Sequence, residues 1–268
     1  MAVGPDHGGE GRAHCIRAFP LPDLEEQRRR ILSLVVDAPD VTFFRGRGNI
    51  GDDLIHAGTR ALLSGVTHRE VGTWNVGDVH GHTALITGSG GWCRLFHHQL
   101  PAALKEIEER FDRVIILPST FDLREPTVRD ALQRTKALVF ARERVSYEQI
   151  RDVCEADIGH DCAFFFDYRP YLRSGQGRLV AYRRDVDSTR TDFPPENQDI
   201  SASCFGLDHW LWTIARHETV VTDRAHVMIA AAVLGKRVEY HGTSYHKVPA
   251  IAEYSLAGFP RVVPADCV

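Results

Sequence analysis

The sequence predicts an α/β protein built on parallel sheets. Three observations carry this. Short apolar runs such as VTFF (41–44), VIIL (114–117) and TVVT (219–222) recur at intervals. Segments of helical periodicity separate them, and such alternation is the signature of βαβ units. A Gly/Pro/Arg-rich stretch, RPYLRSGQGR (169–178), interrupts the alternation, which then resumes. Two halves of unequal size therefore suggest two Rossmann-like domains with parallel sheets facing each other across a cleft.

Residues 1–20 read as a flexible tail, rich in Gly, Pro and His. A helix is expected from Asp23 to Val36, where Leu24, Ile31, Leu32 and Val35 are apolar. The expected strands of the first half are 41–44, 70–74, 83–88, 114–117 and 137–141. Its expected helices are 52–63, 98–110, 126–134 and 146–154, and CAFFF (162–166) closes it. The second half offers strands at 179–183, 219–222 and 237–241. Its helices are expected at 206–217, at 224–235 and from near Val248 onward.

Composition bounds the function. The chain has 268 residues, 43% hydrophobic and 25% charged, enough for a core of its own. Its net charge of -4 argues against a general nucleic-acid binder, which needs a basic stripe. Of the 32 basic residues, 28 are Arg, so a single Arg says little and a Lys slightly more. Six scattered cysteines (15, 93, 154, 162, 204 and 267) form no C-x-x-C pair and read as reduced thiols. No signal-peptide pattern or run of 18 apolar residues is present. The expectation is a cytoplasmic protein without direct membrane insertion, peripheral to a membrane only through a lipid-linked substrate or a partner.

Parallel sheets bind ligands beyond the carboxyl ends of their strands. In this chain those positions carry RGRGNIGDD (45–53), SGGW (89–92), PST (118–120), RER (142–144), RDVD (184–187), DRAH (223–226) and GTSYHK (242–247). Arg, His, Asp and Gly crowd them, which suggests an anion site. GRGNIG (46–51) satisfies G-x-G-x-x-G, with Glu70 about 20 residues on, as a dinucleotide fingerprint requires. Asp52 and Asp53, however, would lie where the pyrophosphate sits and repel it. Asp52 then reads either as a helix cap or as a base facing the cleft. Arg224 and His226 fall in the first turn of an expected helix. Cations there oppose the helix dipole and gain no stability, but with the free N–H groups they make a strong anion site. The D-x-D of RDVD reads as a strand-end loop. GHDC (159–162), HGH (80–82) and His97–His98 lack a second ligand cluster at metal-binding spacing. No G-x-S-x-G or P-loop lysine motif is present.

Three segments taken in order resemble the polysaccharide pyruvyltransferase family. They are GNIGDDLI (48–55), FARERVSYE (140–148) and TDRAHVMIAAAVLGKRVEYHGTSYHKV (222–248). The last is similar to the family's R-x-H helix, with Ala225 where Leu is usual. The resemblance implies a GT-B-like fold, with residues 21–168 on the acceptor side and 169–268 on the donor side. It implies transfer of the enolpyruvyl unit of phosphoenolpyruvate onto sugar hydroxyls, forming a pyruvate ketal. His226 would move the proton and Asp52 would serve the acceptor hydroxyl. Arg142, Arg224 and Lys247 would hold the donor, beside Asn49 and Gly51 of the glycine turn. No metal and no cofactor beyond the donor substrate are expected. The partner would be a sugar or glycan, with its carrier (none, nucleotide or lipid) left open, as is a homo-oligomeric state. Two rivals share these features: a GT-B glycosyltransferase using a nucleotide sugar, and a non-catalytic binding protein on the same fold.

Overall fold

Val41, Thr42, Phe43 and Phe44 are all buried, so the first strand is covered on both faces. Strands of this kind belong to parallel sheets flanked by helices. The computed structural model describes residues 21, 23–94, 96 and 99–265. The expected tail at 1–20, Cys15, Cys267 and the His97–His98 pair lie outside these residues.

The first sheet contains β1 (Val41–Arg45), β2 (Arg69–Gly72), β3 (Gly81–Ile86), β4 (Phe111–Ser119), β5 (Leu138–Ala141) and β6 (Ala156–Ile158). The order is β2-β1-β3-β4-β5-β6 and every pairing is parallel. The chain runs from β1 outward to β2 and returns on the other side of β1 as β3. That reversal opens a crevice at the carboxyl ends of β1 and β3. The helices of this part are α1 (Leu24–Ser33), α2 (Ile50–Leu62), α3 (Leu100–Glu108), α4 (Pro126–Arg134) and α5 (Arg144–Ile150). Two apolar clusters cover the sheet, one including Phe44, Ile86 and Ile116, the other Phe43, Leu85 and Ile115. Neighbouring residues of one strand thus face opposite layers, as the two-residue period requires.

The second sheet contains β7 (Arg178–Ala181), β8 (Thr219–Thr222), β9 (Arg237–Tyr240) and β10 (Val262–Pro264), in the order β10-β9-β8-β7 and again all parallel. Its helices are α6 (Ile200–Ser203), α7 (Leu207–Ala215), α8 (Ala225–Val233) and α9 (Lys247–Ser255). Helix α8 has no polar face: eight of its nine residues are buried, all but His226. A helix apolar all round must be covered on every side. Leu54 of α2 and Ala163 join the cluster that buries it. The protein is therefore an α/β fold with two parallel sheets. Among the described residues, no helix is long and apolar enough to cross a membrane.

The expected helix at 126–134 and strand at 219–222 match α4 and β8 to the residue. Several expectations need correction, among them the strand expected at 179–183, which ends at Ala181. The strand expected to reach Trp74 stops at Gly72, because β2 is a half-exposed edge strand. The helix expected at 146–154 starts at Arg144, where Glu143 Oε2 accepts from the Ser146 N–H at 2.9 Å, and becomes a turn after Ile150. Strands β6 and β10 were not expected. Each has three residues at a sheet edge, too few for periodicity to register.

Candidate active site

The glycine turn after β1 delivers α2 through a capping box. Asn49 Oδ1 accepts from the Gly51 N–H at 2.8 Å, and Asp52 Oδ2 accepts from the Asn49 N–H at 2.8 Å. Such reciprocal bonds satisfy donors that a helix start leaves free. A Cβ at Gly48 would overlap the Asp52 carboxylate, so glycine leaves room for this bond. Both readings of Asp52 therefore have a place: it caps α2, and it also lines a cavity.

That cavity has a volume of about 360 Å³, within the range of small-molecule sites. Residues from the carboxyl ends of strands in both sheets line it. All seven residues expected at the site meet there: Asn49, Gly51, Asp52, Arg142, Arg224, His226 and Lys247. Sequence reasoning did not select Arg183, Ser89, Gly90 or His56, which line it as well.

The cations do not stand alone. Arg142 is 1% exposed, with Nη1 2.7 Å from Asp161 Oδ2 and Nε donating to Thr120 Oγ1 at 2.8 Å. Arg224 pairs bidentately with Asp199 and reaches Asp185 Oδ2 at 3.0 Å. Lys247 Nζ lies 3.0 Å from Asp187 Oδ2. Arg183 bridges Asp185 and Asp187. The D-x-D loop is thus the counter-charge of the site. Asp199 had no distinguishing signal, since lone acids are common in this chain, and Asp161 stood out only within GHDC as a metal candidate.

Burial favours the neutral form of Asp185, but bonds from Arg183 and the charges of Arg183 and Arg224 bring its pKa down to about 2. For Asp161 burial again acts upward, and bonds and charges from His226 and Arg142 hold the pKa below the carboxylate range. Burial lowers the pKa of Lys247, against the pull of Asp187. Burial also lowers His56 to about 4, so it is neutral at pH 7. Cys93 is raised to about 12 by burial and is not a thiolate nucleophile.

Helix α8 starts without a side-chain cap. Its first three residues, Ala225, His226 and Val227, line the cavity, so the positive end of the helix dipole opens onto it. His226 Nε2 lies 3.5 Å from Asp161 Oδ2. The Tyr245 hydroxyl is buried near Gly90 and Arg142 without a hydrogen-bond partner. Burial raises the Tyr245 pKa, so this group is a neutral donor. His160 of the GHDC run bonds Ser255 Oγ at 2.9 Å and Asp23 Oδ1 at 2.8 Å instead.

The sequence model of the polysaccharide pyruvyl transferase family matches residues 49–238, most of the chain. The chain belongs to this family. The matched span runs from Asn49, which caps α2, into β9 of the second sheet, and includes Asp52, Arg142, Arg224 and His226. No curated protein matches the sequence. Among solved structures, a functionally uncharacterised protein of Klebsiella pneumoniae is similar in fold. It has a TM-score of 0.74 at 22% identity, over 90% of this chain and 98% of that one. The Escherichia coli ADP-heptose LPS heptosyltransferase II aligns at a TM-score of only 0.26 and 11% identity, over 75% of this chain and 84% of that one. That value carries no comparison.

Proposed function

We propose that this polysaccharide pyruvyl transferase family member moves the enolpyruvyl unit of phosphoenolpyruvate onto two hydroxyls of a sugar, giving a cyclic pyruvate ketal. The observation that carries this reading is the convergence of Arg142, Arg224, Lys247 and the uncapped start of α8 on one cavity. A small dianionic or trianionic donor needs that density of charged donors to recover its desolvation cost. Arg suits carboxylate and phosphate because its planar fork bonds two oxygens at once.

In this scheme His226 protonates the donor methylene. One sugar hydroxyl, assisted by the free oxygen of Asp52, bonds to the carbon that carries the phosphate ester. Phosphate then leaves, held by Arg224 and the α8 N–H groups. A second hydroxyl of the same sugar bonds to that carbon and closes the ketal. Its proton is released, so donor and diol give ketal and inorganic phosphate. The two sheets would form GT-B-like acceptor and donor domains, divided near residue 169.

Thermal melting with phosphoenolpyruvate, UDP and NADH tests the donor. A ligand at 100 times its Kd adds about 2.7 kcal/mol of stability. A shift with phosphoenolpyruvate that disappears in Arg224→Ala supports the reading. A shift with UDP or NADH alone would replace it with a nucleotide-dependent activity.

A further inference from the structure

The two ring nitrogens of His226 have different surroundings. Nε2 faces Asp161 Oδ2 at 3.5 Å, has no other partner, and is closed off from solvent. Nδ1 lies on the side of Gly51, where a Cβ would come within 2.7 Å of it. Gly51 and His226 both line the cavity. With Nε2 closed off, Nδ1 is the nitrogen left for a bound molecule to meet. Asp161 is fully buried and anchored at both oxygens: Oδ1 accepts from the Ala163 N–H at 2.8 Å, and Oδ2 takes Arg142 Nη1 at 2.7 Å.

We propose that Asp161 is the positioning residue of the proton-transfer step: it keeps the His226 proton on Nε2 and leaves Nδ1 to exchange a proton with the donor. This rests on the reading of the cavity as a phosphoenolpyruvate site. A carboxylate behind a histidine fixes the tautomer and stabilises the imidazolium. Separations of this size shorten when substrate binds. The same Asp161 oxygen touches Arg142, whose Nη2 forms no hydrogen bond to a described residue. Asp161 thus connects the guanidinium offered to the donor with the imidazole that protonates it. Besides Arg142, the other charged or titratable groups that line the cavity are Arg47, Asp52 and His56, Arg224 at the N-cap of α8, and Arg183 and Lys247. His56 is uncharged near neutrality, Arg47 stacks on Trp74, and Arg183, Arg224 and Lys247 each have a carboxylate partner. This leaves Asp161 as the acid in direct contact with the ring.

Two measurements on the full chain test the proposal. In the first, Asp161→Asn removes the charge and keeps the shape. Turnover should fall about 10²–10⁴-fold, the range of general acid–base contributions, and by more than the donor KM rises through Arg142, which Asp161 also holds. The alkaline limb of the kcat profile should move to lower pH, because the imidazolium loses its support. A folded Asp161→Asn protein with unchanged turnover and pH profile overturns the proposal. In the second, nitrogen-15 shifts of the wild-type imidazole are assigned by comparison with His226→Gln. Protonated Nε2 supports the proposal and unprotonated Nε2 overturns it. This arm needs neither donor nor variant folding at position 161. Failure of wild type to bind phosphoenolpyruvate would be a separate result, against the donor reading.

Discussion

Asp199 holds Arg224 in a fork: Nε meets Oδ1 at 2.8 Å and Nη2 meets Oδ2 at 2.7 Å. Both side chains are 8% exposed, so the guanidinium is fixed before any ligand arrives. Its Nη1 forms no hydrogen bond to a described residue and remains to be offered. Arg224→Ala should weaken phosphoenolpyruvate binding about 10–100-fold, the loss expected for charge-assisted hydrogen bonds. Arg224→Lys should not restore it, because a point charge cannot keep the fork. Calorimetric titration measures both, and near-normal affinity in Arg224→Ala would remove Arg224 from the donor site.

His226→Ala should separate turnover from affinity. The variant should bind phosphoenolpyruvate within a few-fold of wild type while kcat falls by about two orders of magnitude or more. Equilibrium binding and single-turnover phosphate release read the two quantities independently. Near-normal release would end the proton-transfer role.

Removing space at Gly48 should act through Asp52. In Gly48→Ala the methyl group displaces the carboxylate, so the bond to the Asn49 N–H is lost. The cost in stability should be about 1 kcal/mol, typical of a lost helix cap. Turnover should fall more than this predicts if, as proposed, the same carboxylate serves the acceptor. Chemical denaturation and acceptor kinetics on one variant compare the two effects.

Stability should decline in mild acid through His56. Its folded pKa of about 4 lies below the unfolded value of 6.5, so the unfolded chain binds more protons between these limits. Stability is therefore highest above pH 6.5 and falls as pH drops toward 4, by on the order of 3 kcal/mol. In His56→Gln, urea denaturation should show a flatter profile across that window. An equally steep profile would place the acid sensitivity elsewhere.

The parallel-sheet character was legible because buried strands such as Val41–Phe44 and Thr219–Thr222 are continuous apolar runs between amphipathic helices. The site was legible where a residue sits at a strand end or helix start, as Arg142, Arg224 and His226 do. Asp161 and Asp199 were not, because their roles come from distant partners: Asp161 meets Arg142 across 19 positions and Asp199 meets Arg224 across 25. Asp185 and Asp187 were visible as a motif but carried no sign of what they neutralise. Nothing in a string of residues shows which of two nearby charges will bond. Arg183 was overlooked because it ends an expected strand, and the strand itself stops at Ala181.

The pairing of Arg142, Arg183, Arg224 and Lys247 with Asp161, Asp185, Asp187 and Asp199 has a kinetic consequence. From beyond a Debye length, roughly 8 Å in physiological salt, these charges largely cancel. The whole chain carries a net charge of -4. These four cations thus add little long-range attraction for an approaching anion. The association rate should be far below the electrostatically steered limit and should change little with ionic strength.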